Sequence, residues 1–106
     1  MTTFDDREKA FENKFAHDEE MRFRAEARRD RLLGLWAAGL MGLEGEAAAE
    51  YARSIVVEDL KEAGDDDVFR KVKADLEAKG LSADGLRAKM EELLAEAKAQ
   101  IMGEID

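Results

Sequence analysis

The chain has 106 residues, one histidine and no cysteine, so a nucleophile–histidine pair or a thiolate metal site has no material to build on. His17 stands between Phe15 and the acidic run Asp18-Glu19-Glu20. Its ring titrates near neutral pH: inside a binding segment it is a proton-sensitive contact, and outside one it is a solvated helix residue. Gly34 to Gly39 has the glycine spacing of a phosphate loop, but Leu40-Met41 follows where Lys and Ser/Thr are required, and no strand precedes it. Asp65-Asp66-Asp67 lacks the alternating ligands, glycine and closing glutamate of a calcium loop, and reads as a helix start. Glu92 and Glu96 share helical spacing, but a di-metal bundle needs inward Glu-x-x-His pairs, and there are none. No catalytic set and no metal set emerges, and the expectation is a protein that is not an enzyme.

Two constellations remain. Phe4, Phe11 and Phe15 fall within roughly 40° of one another at about 100° per residue, so a helix would present them on one face. Asp18, Arg22 and Arg29 follow at the same angle, so this face does not continue into an apolar stripe. Each exposed ring leaves roughly 1.5–3 kcal/mol of burial unused. A short isolated helix is marginal in water, so the segment is expected to fray, or be disordered, alone and to order by burying its rings on a partner; the alternative is that the rings fold back on the bundle. The second constellation is Arg22, Arg24, Arg28, Arg29 and Arg31 with Trp36. It reads either as a solvated helix surface with pairs such as Glu20–Arg24 and Arg22–Glu26, or as an ADP or ATP site, guanidinium for phosphate and ring for base.

These residues need helices to position them. The sequence has no proline and few β-branched residues, and Ala, Glu, Leu, Lys and Arg dominate. An all-α fold follows, a four-helix bundle with a long first helix. Thr3 with Asp6 resembles a capping box, and helical spacing can run unbroken from Phe4 to about Leu40, with Gly42 or Gly45 as terminator. Its bundle-facing stripe is read as Met21, Ala25, Leu32, Leu35 and Trp36. A second helix spans about Gly45 to Ala63, with Ala48, Tyr51, Ala52, Ile55 and Val56 on one face. Asp59 falls near that face, where the helix leaves the core or where an arginine meets it. A third helix starts at Asp65 as N-cap, buries Val68, Phe69, Val72 and Leu76, and stops at Gly80. Ser82 or Asp84 caps a fourth, whose stripe is Leu86, Met90, Leu93, Leu94, Ala97 and Ile101, with fraying after Met102. Residues 1–19 form the N-terminal arm and residues 20–106 the bundle.

The net charge is −9, but residues 21–31 hold five arginines against two acids. Bulk acidity argues against nucleic acid as a partner, since phosphate neutralisation needs a basic face. No run approaches a membrane span and no apolar N-terminal stretch resembles a secretion signal, so a soluble, intracellular protein is expected.

The blocks Phe4-Asp-Asp-Arg-Glu-Lys-Ala-Phe-Glu-Asn-Lys-Phe-Ala-His-Asp-Glu-Glu and Ala27-Arg-Arg-Asp-Arg-Leu-Leu-Gly-Leu-Trp-Ala-Ala, with Gly64-Asp-Asp-Asp-Val and Leu86-Arg-Ala-Lys-Met-Glu-Glu-Leu-Leu-Ala-Glu-Ala, carry a resemblance over nearly the whole chain. The sequence resembles the zeta subunit of the F-type ATP synthase of α-proteobacteria. The resemblance implies a four-helix bundle that inhibits ATP hydrolysis by the catalytic head. The arm would wedge between catalytic subunits and rotor through Phe4, Arg7, Phe11, Lys14 and Phe15, with His17 beside them. It also implies ADP or ATP as a regulatory ligand of the bundle, with no other cofactor. The location it implies is cytoplasmic, peripheral to the inner membrane through the synthase. Glu44 departs from the family pattern where Ser or Thr commonly caps the second helix, and Gly64 where Pro is common.

Overall fold

The computed structural model describes residues 18–61 and 63–105. In chain order these form α1 (Glu19–Leu40), α2 (Gly45–Asp59), α3 (Asp66–Ala78) and α4 (Leu86–Ile105), with no strand among the described residues. The fold is all-α, as the composition requires.

Helix α1 does not run unbroken from Phe4. Asp18 is extended, at φ −118° and ψ 103°, and its carboxylate accepts a hydrogen bond from the Met21 N–H at 3.1 Å. It is an N-cap, followed by Glu19 and Glu20 at the positive end of the helix dipole. Thr3 and Asp6, read as the helix start, lie outside the described residues. At the other end Met41 is the C-cap and Gly42 takes φ 79°. The Leu43 N–H bonds back to Ala38 and the Gly42 N–H to Gly39, the paired bonds of a Schellman turn.

The remaining helix ends depart from the sequence reading in instructive ways. Helix α2 ends at Asp59, short of Ala63. Asp65 precedes α3 but makes no side-chain cap, because its two oxygens are engaged by Arg29 and Arg87. Asp67 instead accepts from the Val68 N–H at 2.9 Å. Neither Ser82 nor Asp84 caps α4, which begins at Leu86; the Ser82 hydroxyl accepts from the Asp84 N–H within the turn. Helix α4 continues past Met102 to Ile105, where the expected fraying gives way to an ion pair at Glu104.

Two apolar clusters make the core. The larger joins Leu33 and Ala37 of α1, Ile55 of α2, Val68, Val72 and Leu76 of α3, and Leu86, Met90 and Leu93 of α4. The smaller closes the start of α1 against the end of α4, with Met21, Ala25 and Ile101 covered by Leu94 and Met102. The α1 stripe is therefore corrected: Met21 and Ala25 are buried, but Leu35 is exposed, and Leu32 and Trp36 are only partly covered. Leu33, Gly34, Ala37 and Ala38 take the inward positions instead. Helix α1 packs against α2, α3 and α4, so a wide arc of its surface is covered and small residues must admit close neighbours.

Gly34 shows how close. A Cβ there would lie 2.5 Å from the Ala52 Cα, a backbone atom that cannot swing aside. Its place in the chain is fixed by helix packing. Gly34→Ala should cost about 1–3 kcal/mol by overpacking, seen as a lower denaturant midpoint. Gly39→Ala is the control, because a Cβ meets nothing within 4 Å there, and it should stabilise the helix by about 0.5–1 kcal/mol.

Candidate functional site

The arm residues Phe4, Arg7, Phe11, Lys14, Phe15 and His17 lie outside the described residues. What the structure places is the surface next to which the arm begins.

The arginine cluster does not share one surface. Arg22 and Arg31 are exposed. Arg24 and Arg28 converge on Glu104 of α4, Arg28 in a two-pronged pair with Nη2 to Oε2 at 3.1 Å and Arg24 at 4.0 Å. These replace the pairing of Arg24 with Glu20 along α1. The Arg28 hydrogen bonds hold the Glu104 carboxyl below its ordinary range, and the charge of Arg24 adds to this. Trp36 is half-buried against the larger core cluster, with the Lys89 ammonium 5.5 Å from its ring centroid.

Arg29 is turned inward and is only 3% exposed. Its Nε donates to Asp30 Oδ1 at 2.7 Å, Nη2 lies 3.7 Å from Asp59 Oδ2, and Nη1 lies 3.5 Å from Asp65 Oδ2. One guanidinium thus ties α1 to the end of α2 and to the link before α3. The sequence left Asp59 between two readings; it meets an arginine. The planar five-donor fork of arginine is what lets one side chain serve three carboxylates.

Asp30 is fully buried, and its Oδ2 has no conventional hydrogen-bond partner. Burial is the largest influence and pushes its carboxyl up; the neighbouring Asp59 adds to the rise, Arg29 opposes it, and the result is about 8. A proton on Oδ2 resolves the apparent orphan, because the acid can then donate to Asp59 while Oδ1 still accepts from Arg29. A carboxyl whose folded value is raised adds stability below its unfolded value and loses it as pH rises through the folded one. Asp30 should therefore give stability that declines between pH 4 and 8, by up to ~1.4 kcal/mol per unit. Asp30→Asn keeps the shape and needs no proton to donate. The difference between its thermal midpoint and that of the parent chain should grow with pH across this window.

Beside this cluster runs an open groove of about 460 Å³. Phe23 and Ala27 of α1 and Val56 and Leu60 at the end of α2 form its apolar walls; Glu26, Asp59 and Lys61 also line it, Lys61 paired with Glu58 at 2.8 Å. Phe23 is 57% and Leu60 64% exposed, although both are large and apolar. Phe23 and Asp30 were missed in the sequence, where each falls off the fitted stripes; Leu60, read at the edge of the second helix's apolar face, is exposed.

On the far side, the Tyr51 hydroxyl donates to Asp75 at 2.8 Å, with Lys71 on the same carboxylate oxygen. Burial and that bond push the phenol well above its ordinary range. Arg87 pairs with Asp65 and Asp66 and lies 4.3 Å from the Phe69 ring centroid. Among the described residues no group of acids or histidines is arranged to hold a metal ion, and no helix is long and apolar enough to cross a membrane.

The charged groups here join helices, and exposed Phe23 and Leu60 line an apolar groove. These features define a small all-α protein whose helices are tied by ion pairs. The comparisons agree: the family model of the ATPase inhibitor subunit zeta matches residues 1–100, and the chain belongs to that family. A solution NMR structure is similar at 50% identity and a TM-score of 0.71, over 79% of this chain and 98% of the other. No curated protein matches the sequence.

Proposed function

We propose that the chain inhibits ATP hydrolysis by the F-type ATP synthase, with residues 1–19 inserting between the catalytic subunits of its head and the rotor. The observation that supports this reading is how α1 begins. The buried face at its start, Met21 and Ala25, is already closed by Ile101, Leu94 and Met102. The three upstream phenylalanines thus have a bundle whose seam is filled next to them, and the family match extends through them. Phe4, Phe11 and Phe15 are then the anchors, with Arg7, Lys14 and His17 as polar contacts.

The direct test is ATP hydrolysis by the cognate synthase with added protein. Phe11→Ala combined with Phe15→Ala should weaken inhibition by a few kcal/mol, on the order of 100-fold in concentration, if the rings fill a desolvated groove. Arg7 and Lys14 should act through the association rate and its salt dependence. Undiminished potency of the double variant would move the contact elsewhere.

Adenine-nucleotide binding to the bundle is the second reading. Arg22, Arg24, Arg28 and Trp36 are its candidates, while Arg29 is committed to its three carboxylates. ADP titrated into isotope-labelled protein should shift amides between Arg22 and Trp36. Shifts confined to another surface would reject this placement.

A further inference from the structure

We propose that the groove between α1 and the end of α2 is a docking site for the chain's own N-terminal segment, residues 4–15. The bundle would then hold the segment in reserve, with the ATPase as the competing site. Only this second clause rests on the inhibitory reading; the docking does not.

The groove asks for a particular occupant. It is lined by apolar Phe23, Val56 and Leu60 and by charged Glu26, Asp59 and Lys61. On a helical projection of the sequence, Phe4, Phe11 and Phe15 share a face, flanked on one side by Arg7 and Lys14 and on the other by Glu8 and Glu12. Rings match walls, and Glu26 offers the basic flank a carboxylate; Asp59 and Lys61 are already paired, with Arg29 and Glu58, so the apolar walls carry the match.

The connection permits it. Asp18 is extended rather than helical, so the chain does not enter α1 along the helix axis. Phe23 lies about 7.5 Å along α1 from Asp18, and the groove continues to Asp30, about 10 Å further, at 1.5 Å per residue. A helix of twelve residues covers about 18 Å, enough to span the groove with the last residues before Asp18 left as the turn. Tethering places the segment at roughly millimolar effective concentration, so a weak contact suffices.

The absence of cysteine lets a single nitroxide be attached at Asn13→Cys in the full chain, on the side of the projection away from the rings. Amide signals of residues 56–61 at and just beyond the end of α2 should lose about half their intensity or more, because the tether populates even weak docking. The turn around Ser82 should be unaffected, and the loss should be unchanged on dilution. Leu60→Lys should restore the signals. It sits at a helix C-terminus, where a cation is favourable, so an unchanged thermal midpoint will show that the fold survives. Phe11→Ala with Phe15→Ala should restore them too. The proposal is overturned if residues 56–61 are unaffected, if another surface is broadened instead, or if the variants change nothing. It is also overturned if the effect appears when labelled and isotope-enriched chains are mixed, which would make the occupant a second copy. Docking without inhibition by the full chain would sink the function and leave the groove; inhibition without docking would do the reverse.

Discussion

Deleting residues 1–17 should abolish inhibition of ATP hydrolysis while leaving the thermal transition of the bundle cooperative and within a few degrees of the full chain. Both apolar clusters are built from residues between Met21 and Met102, and the N-cap of α1 is supplied by Asp18, which the deletion retains. An intact cap is worth about 1 kcal/mol, so keeping it matters for a domain of this size. Calorimetry and the hydrolysis assay together decide the matter. A truncated chain that melts without a cooperative transition would make the segment part of the core. One that still inhibits fully would move the contact surface onto the bundle.

The second large effect is on stability. Arg29→Met should lower stability by about 3–5 kcal/mol, because the nearly buried Asp59 loses the cation that offsets it, with Asp30 buried beside it, while Asp65 keeps Arg87. For a domain near 100 residues that corresponds to a fall in Tm of at least ~12 °C. Arg29→Lys should recover little, since a single ammonium cannot span three carboxylates. The combination Arg29→Met, Asp30→Leu, Asp59→Asn should recover much of the loss, because what costs most is an uncompensated buried charge. Urea denaturation across the set measures this; equal stability of Arg29→Met and the parent chain would refute it.

Much of the fold was legible because it depends on local rules. Val68, Val72 and Leu76, and Leu86, Met90, Leu93, Ala97 and Ile101, repeat at helical spacing, and all are buried. Gly42 and Gly80 stand where positive φ ends a helix. The start of α1 was not legible, because nothing between Thr3 and Leu40 breaks a helix by residue type, and the break at Asp18 is a backbone choice. Arg29 and Asp30 were misplaced for a different reason. Periodicity counts charged residues as solvated, yet their burial depends on Asp59 and Asp65, some thirty residues away. Asp59 was recognisable as out of place, but its partner is defined only in three dimensions. The groove is tertiary as well: Phe23 and Leu60 come from separate helices and look, one at a time, like ordinary exposed side chains.

The position of α1 bears on mechanics. It makes the most extensive contacts in the bundle, chiefly with α2 and α4, and the segment proposed to meet the rotor joins it at its first turn. A pull delivered at Asp18 is drawn along α1 and loads its contacts with α2 and α4 in shear, where they must yield together. A peripheral helix would instead be peeled away one contact at a time. The point of load is braced by Met21 against Ile101 and by Arg24 and Arg28 on Glu104. Under such a pull the α1–α2 and α1–α4 seams would set the load at which the bundle gives way.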